Sequence, residues 1–190
     1  AKSLIDDLGS FADVIAAPVE VLRQRGVSDN TIAALKVVET SALRLAKAKE
    51  LLDAVKAKLG LVPNMTRAMA VSPAVLEAYL GISGALTHGV LPSKVREQLA
   101  LDIGQANHCD YCVSAHSAIG KMVGLTPGEV ASSREARSSD GKREAGLQFA
   151  QALVVERGRV SDDVLARVRS AGYTDGEITE VVANVALNIF

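Results

Sequence analysis

Apolar residues recur at helical spacing along almost the whole chain, and no stretch alternates strictly between polar and apolar positions. Glycine, or a polar residue followed by proline, interrupts the pattern at intervals, as at Gly26, Gly60, Ser72-Pro73, Gly124 and Thr126-Pro127. Each interruption is typical of a helix end or a helix start. The pattern therefore predicts an all-α fold of many short helices.

The predicted helices follow one another with short connections. They cover residues 3–25, 29–48, a short face formed by Leu52, Val55 and Leu59, then residues 64–70, 73–89, 93–106, a cysteine-bearing helix to about 123, a short helix after 127, and residues 142–157, 162–171 and 175–190. Residues 132–141 are strongly polar and predict a loop. Ser161 and Asp175 are expected to cap the last two helices.

Composition agrees with a helical core and excludes some classes of function. Of the 190 residues 48% are apolar but only 3% are aromatic, so Ala, Leu, Val and Ile must build the core. The net charge is −1, which argues against a nucleic-acid-binding protein. No apolar run is long enough to cross a bilayer, and the first ten residues lack the order of a secretory signal, so we expect a cytoplasmic protein without a membrane partner.

The two cysteines are the most informative feature, because they are the only two in the chain and lie three residues apart. At about 100° per residue, Cys109, Cys112 and His116 fall within roughly 60° on one helix face. A cysteine early in a helix is activated by the unpaired backbone N–H groups, and a nearby imidazole can take its proton. One sulfur would attack a peroxide or disulfide and the other would resolve the product.

A carboxylate upstream belongs to the same picture. On the helix 93–106, a polar stripe is predicted at Lys94, Gln98, Asp102 and Gln105. Glu97 lies off that stripe, among small apolar neighbours, and is a candidate for burial. In one straight helix Glu97 and Cys109 would be about 18 Å apart. A proton relay from Glu97 therefore requires a break near residues 106–108.

The cysteine pair is also compatible with other roles. The two cysteines could be small buried hydrophobic residues. A zinc site needs about four ligands, and His108 is poorly placed to join Cys109, Cys112 and His116, so we expect no metal. A thioredoxin fold would require a βαβ pattern around the motif, whereas the preceding residues predict a helix.

In these residues and their spacing, the chain resembles the AhpD-like (alkylhydroperoxidase) branch of the carboxymuconolactone decarboxylase superfamily. The matching pattern is Glu97, eleven residues, then Cys109-x-x-Cys112-x-x-x-His116, together with Leu61-Val62-Pro63-Asn64, Ser72-Pro73 and Gly124-Leu125-Thr126. The resemblance implies helical pairs around the cysteine helix, in a domain of residues 51–190 that follows an N-terminal helical extension of residues 1–50.

The resemblance also implies an activity. Cys112 would react with a small hydroperoxide, Cys109 would resolve the product, and His116 and Glu97 would relay protons. The resemblance implies no cofactor. It does imply a dithiol reductant of protein or lipoyl type, and a homo-oligomer, often a trimer or hexamer. Tyr111 stands where the family's alkylhydroperoxidase carries a second histidine. This difference bears on the peroxidase efficiency expected of the present protein.

Two further functions stay open at this point. The first is a non-redox, carboxymuconolactone decarboxylase-like enzyme that uses His116 and Glu97 as acid and base. The second is a non-catalytic assembly protein whose thiols sense redox state. For assembly itself, we expect a homo-oligomer whose interface uses the apolar C-terminal helix, residues 1–50, or both.

Overall fold

The computed structural model describes residues 4–190, and within that range the secondary structure is helical throughout, with no strand. The helices are α1 (Leu4–Leu8), α2 (Phe11–Ala16), α3 (Val19–Gln24), α4 (Asp29–Leu59), α5 (Asn64–Met69), α6 (Pro73–Leu86), α7 (Ser93–Ala106), α8 (Asp110–Met122), α9 (Pro127–Ser133), α10 (Gly141–Val155), α11 (Asp162–Ser170) and α12 (Asp175–Ile189). The all-α prediction is confirmed.

The chain forms two compact units, one ending at Ala78 and the other running from Tyr79 to Phe190. In the first unit, the predicted helix over residues 3–25 is wrong, since three short helices stand there. Gly9 adopts φ +108° and the Ser10 side chain accepts a hydrogen bond from the Asp13 N–H, which starts α2 anew. Pro18 then separates α2 from α3.

The long helix α4 corrects a second prediction. Residues 29–48 and the face formed by Leu52, Val55 and Leu59 belong to one continuous helix of 31 residues. No glycine or proline lies inside it, so no residue interrupts its backbone hydrogen bonds. Ser28 caps its start and Gly60, at φ +76°, ends it in the left-handed conformation.

The second unit is built around α7, which packs against α8, α9, α10 and α12. Leu99, Leu101 and Ile103 are completely buried along it. The largest apolar cluster joins α7 to α10, α11 and α12, including Leu147, Phe149, Val168, Val181 and Val185. The helix that carries Glu97 is therefore the central element of this unit.

This central position overturns the predicted polar stripe of α7. Gln98 is only 1% exposed and Asp102 is fully buried. The Gln98 amide donates to the Ser133 hydroxyl at 3.1 Å, and the Gln151 amide donates to Asp102 at 3.4 Å. Burial raises the pKa of Asp102 to about 7. The spacing of polar residues suggested a solvent-exposed face at Gln98 and Asp102, but α9 and α10 cover that face.

The start of α7 is tied to α12 by a carboxylate. Glu180 accepts hydrogen bonds from the N–H groups of Val90 and Leu91, at 2.7 and 2.9 Å. Gly89 lies against this carboxylate, since a Cβ at that position would clash with the Glu180 side chain. The loop before α7 therefore requires both the glycine and the glutamate.

Helix starts in the second unit follow local signals closely. Ser161 caps α11 as predicted. The cap of α12 is Thr174 rather than Asp175, because Thr174 and Glu177 form a capping box. Helix α6 starts at Pro73 as expected but ends at Leu86, short of Gly89.

Two predictions about organisation have different outcomes. The C-terminal helix was expected to need cover, and Ile178, Val181 and Val185 are buried within their own unit. The predicted domain division after residue 50 concerns the extent of the family domain, and it stays a prediction. Among the described residues no helix is long and apolar enough to span a membrane.

Candidate active site

The break that a proton relay requires lies between α7 and α8, near residues 106–108 as predicted. Helix α7 ends at Ala106, and His108 adopts φ +54°, in the left-handed region. The N–H of Cys109 donates to the Gly104 carbonyl at 2.9 Å, and the N–H of His108 donates to the Gln105 carbonyl at 3.0 Å. This pair of bonds is a Schellman motif, which reverses the chain after a helix. The reversal lets α8 pack back onto α7.

The cysteines occupy the start of α8 and are bonded to each other. Cys109 is the N-cap residue, and its Sγ accepts a hydrogen bond from the Cys112 N–H at 3.2 Å. The two Cα atoms are 5.3 Å apart in the disulfide. Both residues are partly exposed. In the reduced protein, the same N–H group and the helix dipole would favour the thiolate of Cys109.

Glu97 and His116 meet directly. The Glu97 Oε2 atom lies 2.8 Å from the His116 Nδ1 atom. Their side chains are 18% and 25% exposed, so water has limited access to the pair. A carboxylate only accepts, so Nδ1 carries the proton of this hydrogen bond and Nε2 is left to exchange protons. His116 lies one turn beyond Cys112 on α8, as predicted.

Gly104 allows the cysteine helix to approach this closely. A Cβ on Gly104 would lie 3.1 Å from the Cβ of Cys112 and 3.5 Å from the side chain of Val113. The helix therefore presents bare backbone to the second cysteine. Glu97 lies two turns before Gly104 on the same helix and contacts His116. Helix α7 therefore supplies both the backbone against which Cys112 packs and the carboxylate of the site.

Tyr79 on α6 lies within electrostatic reach of Glu97, and the sequence did not predict this. Burial raises the pKa of the Tyr79 phenol, and the nearby Glu97 carboxylate and Tyr111 phenol raise it further. Its ring stacks on Phe190, with 6.3 Å between centroids and 12° between planes. No motif marks Tyr79; its one signal was being one of few aromatic residues in the chain.

The donor set does not resemble a metal site. Among the described residues, no group of three or more His, Cys, Asp or Glu side chains is placed to hold a metal ion. His108, the candidate for a fourth ligand, is exposed in the turn before α8. The arrangement is instead a cysteine pair beside a hydrogen-bonded carboxylate and imidazole.

Several solved structures have a fold similar to that of this chain. A peroxidase-related protein from Silicibacter, described as uncharacterized, superimposes with a TM-score of 0.68 and 22% identity, over 76% of this chain and 78% of that chain. An uncharacterized peroxidase-related protein from Ralstonia eutropha, described as an alkylhydroperoxidase AhpD core, gives 0.67 and 26%, over 75% and 78%. A cysteine-to-alanine variant of the debrominase Bmp8, in complex with 2,3,4-tribromopyrrole, gives 0.65 and 20%, over 76% and 79%.

Comparison of the sequence with known families and curated proteins gives one family match. No curated protein matches the chain. The carboxymuconolactone decarboxylase family matches residues 73–154, a range that contains Glu97, both cysteines and His116. The chain therefore matches the carboxymuconolactone decarboxylase family over residues 73–154, and the resemblance to the AhpD-like branch is confirmed.

Proposed function

We propose that the protein is a thiol-dependent peroxidase that reduces small hydroperoxides through Cys109 and Cys112. One observation carries the proposal: a cysteine pair able to form a disulfide lies at the start of α8, and the same helix bears His116 in hydrogen bond with Glu97. A nucleophile, a resolving thiol and a proton-exchanging group then occupy one face. The confirmed likeness to AhpD-like proteins supports the same chemistry.

In the oxidative half-reaction, Cys112 is the attacking thiol. His116 Nε2 accepts its proton while Glu97 stabilises the resulting imidazolium. The thiolate attacks the distal oxygen of the hydroperoxide, the O–O bond breaks, and the alcohol leaves with the proton returned from His116. Cys112 becomes a sulfenic acid.

Cys109 then resolves the sulfenic acid. Its thiolate, which the Cys112 N–H stabilises at the N-cap, attacks the Cys112 sulfur and displaces hydroxide. His116 accepts the proton that the Cys109 thiol loses and passes it to the hydroxide, which leaves as water. The product is the Cys109–Cys112 disulfide, which corresponds to the state of the structure.

A dithiol of protein or lipoyl type completes the cycle. One reductant thiolate attacks the Cys112 sulfur and releases Cys109, which is the better leaving group because its thiolate is stabilised at the helix start. The second reductant thiol displaces Cys112 and closes the reductant's own disulfide. Both cysteines return to the thiol state, and two electrons have passed from reductant to peroxide.

The test is hydroperoxide consumption with dihydrolipoamide as the reductant. We expect repeated turnover by the wild type and none by Cys112→Ser. Cys109→Ser should consume about one equivalent and retain a sulfenic acid detectable by mass spectrometry. Ser114→Ala, an exposed change on the same helix, serves as the control and should turn over normally. Equal rates in wild type and both cysteine variants would rule the proposal out.

A decarboxylase-like, non-redox enzyme is the second candidate, because the matched family is named for that activity and the Glu97–His116 pair requires no thiol. It predicts that turnover of a carboxylated lactone survives in the protein carrying both Cys109→Ser and Cys112→Ser. Product analysis with γ-carboxymuconolactone distinguishes the two. Loss of lactone turnover on Glu97→Gln would assign that activity to the pair.

A further inference from the structure

The middle of α4 is exposed on every side. Each of residues 40–46 is exposed, although Arg44 is the one charged residue among them. Val38 and Leu45 are 50% and 72% exposed. The helix joins the apolar cluster of its own unit near its start, through Ile32, which is 4% exposed. Apolar side chains left in water forgo the free energy of burial, and a group of them is typical of an interaction surface.

The sequence of α4 repeats every seven residues. Large aliphatic residues lie at this interval, at Val38, Leu45, Leu52 and Leu59. Small residues lie at the same interval, at Ala34, Ser41 and Ala48. A seven-residue repeat sustained along a helix is the pattern of a coiled coil, in which two helices pack along one seam. Large residues facing small ones let the two helices interdigitate.

The first part of this repeat is uncovered, whereas Val55 towards its end is buried. The exposed part consists of four residues, which we call the α4 seam: Ala34, Val38, Ser41 and Leu45. At about 100° per residue, these four fall within roughly 60° of one another around the helix, and Ile32 lies at least about 120° away from each of them. The α4 seam therefore faces away from the core that α4 shares with α1, α2 and α3.

The charges of α4 favour an antiparallel partner helix. The first half, residues 29–43, carries Asp29, Lys36 and Glu39, a net charge of −1. The second half, residues 44–59, carries five basic and two acidic residues, a net charge of +3. A parallel second copy would place the two positive halves side by side, where they repel. An antiparallel second copy places each positive half beside a negative half.

We propose that the α4 seam pairs antiparallel with the α4 seam of a second copy of this chain, forming a two-fold contact. The contact is isologous, because the same patch of each copy forms both sides of it. Since every chain is then joined to one other across this contact, the assembly contains an even number of chains. The inference does not depend on the proposed peroxidase function, because mass and distance measure it rather than activity.

Light scattering at micromolar concentration tests the α4 seam with matched substitutions. Leu43 is 65% exposed and lies two residues from Leu45, but about 160° around the helix from it. Leu45→Glu and Val38→Glu each place a charge in the seam, and we expect each to halve the wild-type mass. Leu43→Glu places the same charge outside the seam and should keep the wild-type mass. Circular dichroism should show wild-type helix content in all three variants, because the three positions are exposed.

Three results would overturn the inference. The first is a wild-type mass equal to one chain, or to an odd number of chains, of 19.9 kDa. The second is an unchanged mass in both seam variants, which would mean that the assembly forms through other surfaces. The third is equal dissociation by Leu43→Glu, which would assign the effect to an added charge anywhere on α4.

Electron paramagnetic resonance distances between spin labels test the antiparallel direction. Both native cysteines are in the disulfide, so a cysteine introduced into the oxidised protein is the thiol that the label modifies. In an antiparallel pair centred near residue 40, labels on the Thr40→Cys protein lie within about 30 Å of each other, and labels on the Lys58→Cys protein lie about 50 Å apart. A parallel pair would give short distances at both positions. If α4 packs instead on another part of its own chain, neither protein gives a distance between chains below about 30 Å, and the inference fails.

Discussion

Glu97 acts on the chemistry through His116, since its carboxylate contacts the imidazole Nδ1 rather than a cysteine. Glu97→Gln keeps an oxygen acceptor for Nδ1 but removes the charge that stabilises the imidazolium. We expect kcat/KM for hydroperoxide to fall on the order of a hundredfold, the size typical of a lost proton-transfer partner. Steady-state kinetics on the folded variant measures this.

The matched control is Glu135→Gln, which removes a carboxylate from an exposed position in the polar loop. It should leave the rate as in the wild type. A Glu97→Gln protein with wild-type kcat/KM would contradict the relay, and the hydrogen bond would then be purely structural.

Gly104 is the residue on which the close packing of α7 and α8 depends. A methyl group there would lie 3.1 Å from the Cys112 Cβ, so in Gly104→Ala the Cys112 side chain or its helix must shift by a few tenths of an ångström. Overpacking costs roughly 1–3 kcal/mol, which outweighs the gain of about 1 kcal/mol from replacing a helical glycine. We expect a lower free energy of unfolding, measured in urea, and slower disulfide formation.

Gly81→Ala provides the comparison for Gly104→Ala. Gly81 is also helical, but nothing lies within 4 Å of its added Cβ. Here the helix propensity acts unopposed, and we expect stabilisation of up to about 1 kcal/mol. If both alanine variants were equally stabilised, the close contact with Cys112 would have no effect on the free energy of unfolding.

At the scale of elements, α7 holds a buried carboxyl group that the proposed mechanism does not use. Burial raises the pKa of Asp102 from 3.8 to about 7. Its Oδ2 atom and the Gln98 Oε1 atom are both buried without a hydrogen-bond partner. Because protonation gives Asp102 a donor for such an acceptor, the neutral acid suits this position better than the carboxylate.

The pH dependence of stability follows from this raised pKa. Between pH 4 and pH 7 the folded protein keeps the Asp102 proton while the unfolded chain has lost it. The contribution of Asp102 to the free energy of unfolding is therefore full below about pH 4, falls as the pH rises from 4 to 7, and is lost above 7; its size is on the order of 1.4 kcal/mol per unit of pKa shift. We expect urea unfolding of Asp102→Asn to lack this fall.

Asp163→Asn, an exposed change at the start of α11, is the control for Asp102→Asn and should keep the wild-type pH profile. An Asp102→Asn protein whose stability falls with pH as steeply as that of the wild type would show that other groups cause the dependence.

At the scale of the whole molecule, apolar side chains stand exposed on both units. Val37, Leu43 and Leu45 on α4 are 65%, 65% and 72% exposed, and Val182 on α12 is 43% exposed. Surfaces of this kind commonly mark interfaces. We predict a homo-oligomer, with the trimer or hexamer that the family resemblance implies as the expected sizes.

Light scattering at micromolar concentration measures the assembly. A chain mass of 19.9 kDa predicts about 60 kDa for a trimer and about 120 kDa for a hexamer. Leu45→Glu should shift the mass towards the monomer if α4 contributes to the interface, and Val182→Glu should do so if α12 contributes. A wild-type mass near 20 kDa would refute the prediction.

Much of the candidate site could be predicted from sequence because its signals are local. The spacing of Cys109, Cys112 and His116 fixes their common helix face, and Cys109 starts the helix. The break before Cys109 was inferred because Glu97 cannot otherwise reach the motif, and the Schellman turn at His108 confirms it. Helix starts at Pro73 and Asp162 follow equally local rules.

What the sequence could not supply are the facts that depend on which elements become neighbours. It determined an all-helical fold and a redox-type cysteine motif, because periodicity and spacing act within one helix. Only the tertiary structure decided that the polar stripe at Gln98 and Asp102 is buried, since α9 and α10 cover it. Likewise, no pattern along the sequence marks Tyr79, which the fold brings within electrostatic reach of Glu97 from a different helix.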